Sequence, residues 1–153
     1  MTLSIGDAAP DFTLPGDGGE ISLATLKGKA VVLYFYPKDD TPGCTTEAQA
    51  FTAAAADFAA AGAVVIGISK DSVARHAKFR AKYALTPLLG ADTEGKVIEA
   101  YGVWVEKSLY GRQYMGIERA TFLINAGGKI VNIWHKVKVK GHAEEVLAAV
   151  RAV

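Results

Sequence analysis

The spacing of apolar and polar residues changes several times along the chain and predicts alternating strands and helices. Residues 30–36 and 63–69 are nearly continuous apolar runs rich in β-branched and aromatic side chains, which is typical of strands buried on both faces. Residues 119–124 and 129–134 predict two further strands. The Asn-Ala-Gly-Gly turn at residues 125–128 indicates that this later pair forms an antiparallel hairpin.

Helical spacing appears between these strands. An alanine-rich segment at residues 44–61 predicts a helix with Phe51, Ala55 and Phe58 on its inward face. The remaining helical predictions are residues 71–83, with Val73, Ala77 and Arg80 down one side, residues 95–101, residues 142–152, and a single turn at residues 23–28.

Weaker patterns occupy the start of the chain and its later connections. Residues 11–14 and 20–23 flank a turn rich in glycine and predict a short N-terminal hairpin. Residues 104–115 mix aromatic and charged side chains and are interpreted as a packed loop, with a border of the substrate pocket as the alternative. Residues 136–140 alternate lysine with valine, which predicts a strand with one solvated face; reductase docking is the alternative role of these lysines. The order of elements favours an α/β fold in which a mixed central sheet carries helices on both faces.

The composition limits the classes of protein to which this chain can belong. A chain of 153 residues, half of them apolar, predicts one domain over residues 1–153. The net charge of +1 gives no electrostatic basis for binding nucleic acid or an anionic membrane. The apolar runs are far shorter than the ~20 residues of a membrane span, and the first residues lack a secretory pattern, so we expect a cytoplasmic protein.

The only cysteine, Cys44, follows a strand and a Pro-Gly turn at the predicted start of a helix. The unpaired N–H groups at a helix start favour negative charge, and therefore thiolate over thiol. This position predicts a nucleophile. The alternative is that Cys44 is a small buried apolar side chain, which is the commonest role of a lone cysteine.

Three neighbours of Cys44 are candidates for the same site. Thr41 is either a turn hydroxyl or helix cap, or a group that bonds to the sulfur or to a substrate oxygen. Pro37 ends the preceding strand and could also form a wall of the pocket. Glu47 is either a helix-dipole partner or a carboxylate that holds an arginine.

We expect neither a metal nor a nucleotide cofactor. His76, His135 and His142 do not cluster with Cys44 or with acidic residues at ligand spacing. The glycine-rich segments are turns and lack the spacing of a phosphate-binding loop.

The pattern Pro-x-x-x-Thr-x-x-Cys after an apolar strand resembles the peroxiredoxins. The longer string FYPKDDTPGCTTEA, at residues 35–48, is similar to the subgroup called bacterioferritin comigratory protein or peroxiredoxin Q. The resemblance extends over nearly the whole chain, through residues 6–12, 92–96, 100–103 and 119–124.

The resemblance implies a thioredoxin-like fold and the reduction of hydrogen peroxide and organic hydroperoxides. It implies that Cys44 is the peroxidatic nucleophile, in a pocket with Thr41 and Pro37. It also implies that Arg119 lies beside the thiolate and that Glu47 orients this arginine. The expected reductant is an external thiol, either thioredoxin or glutathione with glutaredoxin, and the expected assembly is a monomer or weak dimer.

This chain departs from many members of that family, which carry a second cysteine. The two usual positions hold Gln49 and, in the next helix, about Arg80. With one cysteine, the oxidised chain has no internal thiol to condense with, so an external thiol must complete the cycle. The alternatives are a peroxide sensor that uses Cys44 stoichiometrically and a non-peroxidatic thiol oxidoreductase, although the latter lacks a Cys-x-x-Cys pair.

Overall fold

The computed structural model describes residues 2–153, which contain nine strands and five α-helices. The strands are β1 (Thr13–Leu14), β2 (Ile21–Ser22), β3 (Ala30–Phe35), β4 (Ala63–Ser69), β5 (Leu88–Ala91), β6 (Trp104–Leu109), β7 (Arg112–Ile117), β8 (Ala120–Ile124) and β9 (Ile130–Trp134). The helices are α1 (Pro42–Ala53), α2 (Ala55–Ala60), α3 (Val73–Tyr83), α4 (Lys96–Ala100) and α5 (His142–Arg151), with a 3-10 turn at Ala24–Leu26. None of the helices within residues 2–153 has both the length and the apolar character needed to cross a membrane.

Five strands form the central sheet in the order β5-β4-β3-β8-β9. The strands β3, β4 and β5 are parallel, whereas β8 runs antiparallel to both β3 and β9. The predicted mixed sheet and the predicted β8–β9 hairpin are therefore confirmed. The short β1–β2 pair is antiparallel, as expected for the N-terminal hairpin.

The strand β3 is the centre of the core because its two faces are buried against different elements. Val32 and Tyr34 pack with side chains of α1, α2, α3 and α5. Leu33 and Phe35 pack on the other face, with side chains of α4 and the β1–β2 pair. The prediction of helices on both faces is confirmed, with most of them on the face that carries Cys44.

The helix predicted over residues 44–61 begins earlier and is interrupted. It starts at Pro42, whose missing N–H is one of the donors that a helix start would otherwise leave unpaired. Ala54 ends α1 with φ −95° and ψ 8°, and α2 follows directly. Phe51 and Phe58 lie in the core as predicted, but Ala55 is only partly buried.

The predicted inward side of α3 was wrong in part. His76 and Phe79 are the buried residues of this helix, whereas Ala77 is exposed. His76 was not expected inside because an isolated histidine in a helix of mixed polarity carries no apolar pattern. Its burial depends on a carboxylate from another part of the chain.

Two predictions for the connections were also wrong, and one strand was missed. Residues 104–115 are not a loop but most of the β6–β7 hairpin, which turns at Tyr110 with φ 51°. The alternating segment 136–140 forms no strand, and Lys136, at φ 47°, turns the backbone away from an extended course. The edge strand β5 was not predicted because its sequence, Leu-Leu-Gly-Ala, is short and carries a glycine.

Candidate active site

Cys44 is the third residue of α1 and lies in its first turn. Thr41 is the N-cap with extended backbone angles, φ −96° and ψ 155°, and Pro42 occupies the first helical position. This places the thiol among N–H groups that have no partner within the helix. The side chain is only 2 % exposed, so the accessible thiol expected from the sequence is largely covered in this structure.

Arg119 reaches Cys44 from the short link between β7 and β8. Its Nη2 atom donates to the Sγ of Cys44 at 3.3 Å. The link is fixed on both sides, because the Glu118 N–H donates to the Val103 carbonyl and the Val137 N–H donates to the Arg119 carbonyl. The guanidinium is therefore presented to the sulfur by a held backbone.

Gly43 leaves the space that the guanidinium occupies, a role that the sequence did not reveal. A Cβ atom at this position would lie 3.1 Å from the Nη2 of Arg119. A larger residue would press on the group that contacts the sulfur. The glycine in the Pro-Gly-Cys string was interpreted only as part of a turn. Its position inside the first helical turn, next to the cysteine, could have indicated that another group packs closely there.

Glu47 lies one turn after Cys44 and is 1 % exposed. Its Oε1 accepts a hydrogen bond from the Nη1 of Arg119 at 2.7 Å, while its Oε2 has no hydrogen-bond partner within the described residues. Burial raises the pKa of Glu47 to about 7, although the charge of Arg119 opposes this shift. The guanidinium thus bridges the sulfur and a buried carboxyl group.

Arg119 and Lys107 are the two basic residues whose charges act on this site. Burial works against the charge of Arg119, but the nearby charges of Glu47 and Cys44 outweigh it and raise the pKa of Arg119. Lys107, on β6, is half-buried, and both burial and the charge of Arg119 lower the pKa of this lysine. Sequence analysis missed Lys107 because the surrounding segment was interpreted as a loop.

The other two candidates are placed differently from the triad of Cys44, Arg119 and Glu47. The Thr41 hydroxyl donates to the Lys38 carbonyl at 2.8 Å, so it does not donate to the sulfur in this structure. Its oxygen keeps lone pairs that can accept a hydrogen bond. Pro37 follows the end of β3, and its side chain is exposed.

The arrangement suits nucleophilic chemistry at sulfur. A fixed guanidinium beside a thiol in a helix start favours the thiolate, which is the nucleophilic form. The same donors can stabilise negative charge on a departing group without reorganising water. Within residues 2–153, no three histidine, cysteine or acidic side chains are grouped to hold a metal ion.

The chain is similar to proteins of known family over nearly all of its length. Residues 5–133 match the model of the AhpC/TSA family. A putative peroxiredoxin bcp of Coxiella burnetii is 54% identical over 96% of this chain and 98% of its own length. Peroxiredoxin Bcp of Bacillus subtilis is 51% identical over 99% of this chain and 97% of its own.

Solved structures agree with these relatives. The bacterioferritin comigratory protein of Xanthomonas campestris, described for its alkyl peroxide reduction activity, superposes with a TM-score of 0.90 at 44% identity. That match covers 98% of this chain and 96% of the other. The likeness confirms the expected thioredoxin-like architecture.

Proposed function

Because this chain belongs to the AhpC/TSA family of peroxiredoxins, it is a thiol-dependent peroxidase, and we propose that Cys44 is its peroxidatic residue. The observation that carries the proposal is the 3.3 Å contact between the Arg119 Nη2 and the Cys44 Sγ. Among the described residues, this contact joins a nucleophile to a fixed cation in the first turn of a helix, which is what attack on a peroxide needs.

The first half of the proposed cycle oxidises the sulfur. The Cys44 thiolate attacks the terminal oxygen of a hydroperoxide, an S–O bond forms and the O–O bond breaks. The sulfur becomes a sulfenic acid, and the departing alkoxide or hydroxide takes a proton to leave as alcohol or water. Arg119 stabilises the charge that grows on the departing oxygen.

Thr41 and Pro37 are assigned supporting roles in this cycle. The hydroxyl of Thr41, whose proton is held by Lys38, accepts the O–H of the bound hydroperoxide and orients it for in-line attack. Pro37 borders the connection that carries Thr41, where its ring restricts the backbone. Glu47 holds the guanidinium through its Oε1.

The second half of the cycle reduces the sulfur with an external thiol. Because the sequence contains one cysteine, no intramolecular disulfide can form. An incoming thiol condenses with the sulfenic acid, releasing water and leaving a mixed disulfide. A second thiol then restores Cys44 and carries away the oxidised reductant.

We also propose a reductant, an assembly state and a location for the protein. Thioredoxin and the glutathione–glutaredoxin pair are both proposed reductants, and both work in a reducing compartment such as the cytoplasm. We propose a monomer or weak dimer. We also propose that residues 1–153 fold as one domain, since both core clusters share the strand β3.

Peroxide consumption separates the peroxidase from a stoichiometric sensor. With dithiothreitol present, we expect many equivalents of hydrogen peroxide and of cumene hydroperoxide to be consumed per chain, and none with Cys44→Ser. Consumption that stops at one equivalent would support the sensor instead. Repeating the assay with thioredoxin, glutaredoxin and glutathione identifies the reductant.

A further inference from the structure

A buried histidine–carboxylate pair lies behind the connection between β3 and α1, outside the contacts of Cys44. His76 on α3 is 0 % exposed and Asp39 is 3 % exposed. The His76 Nδ1 lies 2.6 Å from the Asp39 Oδ2, and the His76 Nε2 lies 3.0 Å from the Gly90 carbonyl oxygen. Nothing in the reaction described above uses this pair.

The hydrogen-bond partners of the pair limit where its protons lie. A carbonyl oxygen can only accept, so the Nε2 of His76 must carry a hydrogen directed at Gly90. The Asp39 Oδ1 already accepts from the Tyr36 hydroxyl. The contact between Nδ1 and Oδ2 therefore needs its own proton; with that proton on the ring, the pair is an imidazolium hydrogen-bonded to a carboxylate.

The pair holds the segment that delivers Thr41 and the first turn of α1. Asp39 lies two positions before Thr41, and its N–H donates to the Asp71 Oδ2 at 2.8 Å. The next residue, Asp40, has a positive φ of 61° and accepts from Lys82 and Tyr83. Every one of these partners belongs to α3 or to the residues just before it, so one helix holds the connection.

We propose that His76 is a positioning residue for the peroxidase reaction: as an imidazolium it fixes Asp39, and through Asp39 it fixes the connection that presents Thr41 and Cys44. The inference rests on the proposed role of Cys44. A loop that shifts by a fraction of an ångström would misalign the hydroperoxide and lower the rate, because in-line attack is sensitive to geometry.

The charged and titratable groups that face His76 come from four separate positions next to the helices and strands. Asp39 lies on the connection, Tyr36 follows β3, Asp71 precedes α3, and Asp17 lies in the β1–β2 turn. Asp71 and Asp17 are themselves paired with arginines of α3. Burial opposes the charge of His76, but the hydrogen bond and charge of Asp39 outweigh it, and the pKa of His76 is raised.

A raised pKa gives the pH dependence a definite sign. The pair contributes fully to the stability of the folded connection at pH values below the unfolded pKa of histidine, about 6.5. It is lost as the pH rises through the higher folded value. The wild-type kcat/KM is therefore expected to decline on the alkaline side, as the pH rises through the folded pKa of His76.

The first test uses the unmodified chain. Nitrogen-15 spectra of the His76 ring, recorded from pH 6 to pH 9, are expected to show both ring nitrogens protonated at pH 7. A ring that is neutral at pH 7, with one protonated nitrogen, would overturn the proposal. This measurement does not depend on peroxidase activity, so it separates failure of the inference from failure of the proposed function.

The second test uses His76→Gln and Asp39→Asn. Each is expected to lower kcat/KM for hydrogen peroxide about tenfold or more and to remove the alkaline decline. The double variant is expected to lose no more than either single variant, because both act through one pair. Losses that multiply, or single variants with wild-type rates and pH profiles, would overturn the proposal even if the wild-type enzyme is active.

His135→Gln is the matched control. His135 makes a contact of similar length, 2.7 Å from its Nδ1 to the Glu118 Oε2, but its side chain is 45% exposed. We expect this variant to keep the wild-type rate and the alkaline decline. If His76→Gln does not fold, Asp39→Asn and the ring spectrum of the wild type still decide the question.

Discussion

The Nη2 of Arg119 lies 3.3 Å from the Sγ of Cys44, although the two residues are 75 positions apart in the chain. Sheet register brings them together. Phe35, at the end of β3, pairs with Ala120, at the start of β8. Arg119, which directly precedes Ala120, therefore lies next to the end of β3, where the connection to Cys44 begins.

Replacing Arg119 by alanine is expected to lower kcat/KM for hydrogen peroxide by about 10²- to 10³-fold. The estimate corresponds to roughly 2.7–4 kcal/mol for one preset donor to a developing negative charge. The rate of Cys44 alkylation by iodoacetamide at pH 7 is expected to fall, since the sulfur loses the cation that contacts it. Arg112→Ala, at an exposed position of β7, is the control and should leave both values unchanged. An unchanged alkylation rate in Arg119→Ala would contradict the role given to the guanidinium.

Glu47 is expected to make the stability of the fold depend on pH between about 4.5 and 7. Burial raises the pKa of this carboxyl group from 4.5 to about 7. The folded chain then binds the proton more tightly than the unfolded chain, so stability falls as the pH rises through this window. Glu47→Gln mimics the protonated form and should remove that slope.

Urea unfolding at several pH values measures the effect. The free energy of unfolding of Glu47→Gln relative to the wild type should increase with pH, by up to about 1.4 kcal/mol per pH unit. Glu99→Gln, an exposed substitution of the same kind on α4, should show no such trend. A constant difference between Glu47→Gln and wild type would mean that Glu47 is ionised throughout the window.

Oxidation of Cys44 is expected to leave the first turn of α1 in place. Position 49 holds glutamine, and two residues five apart on a helix are separated by a rise of ~7.5 Å. A disulfide across that distance would require the turn to unwind, but no second cysteine exists here to form one. Hydrogen exchange over residues 42–50 should therefore differ little between the reduced and sulfenic forms.

Gln49→Cys supplies the contrast to this prediction. In that variant we expect an intramolecular disulfide and a clear loss of protection over residues 42–50 on oxidation. Without thiol, the wild type should instead accumulate sulfinic acid during a peroxide titration, and mass spectrometry detects the added mass. Strong deprotection of the oxidised wild type would show that unwinding does not need the disulfide.

Strong local patterns made part of this structure predictable from sequence. The strands β3 and β4 are continuous apolar runs, and the helix start at Cys44 follows a Pro-Gly turn. The proximity of Arg119 to the sulfur followed only from the family resemblance, because an arginine before a strand carries no local mark of its partner. The burial of His76 was missed for a related reason, since its partner Asp39 lies 37 positions away.

Alternating polarity was misleading where the backbone turns. Residues 136–140 alternate like a strand, but Lys136 adopts a left-handed conformation and no neighbouring strand pairs with the segment among the described residues. The hairpin of β6 and β7 was missed because most of its side chains are exposed, so no apolar period marks it. Strand formation there depends on pairing between the two segments.

Gly67 is expected to be intolerant of even a methyl group, because Tyr34 lies directly over it. A Cβ atom at position 67 would lie 2.6 Å from the Cζ of Tyr34 and 2.7 Å from its hydroxyl oxygen. Both belong to the buried centre of the sheet, where overpacking costs about 1–3 kcal/mol. Gly67→Ala should therefore lower the free energy of unfolding by about that amount, measured by urea denaturation. Gly18→Ala, where a Cβ would meet no atom within 4 Å, is the control. Equal stability of the two variants would mean that β3 and β4 separate easily to admit the methyl group.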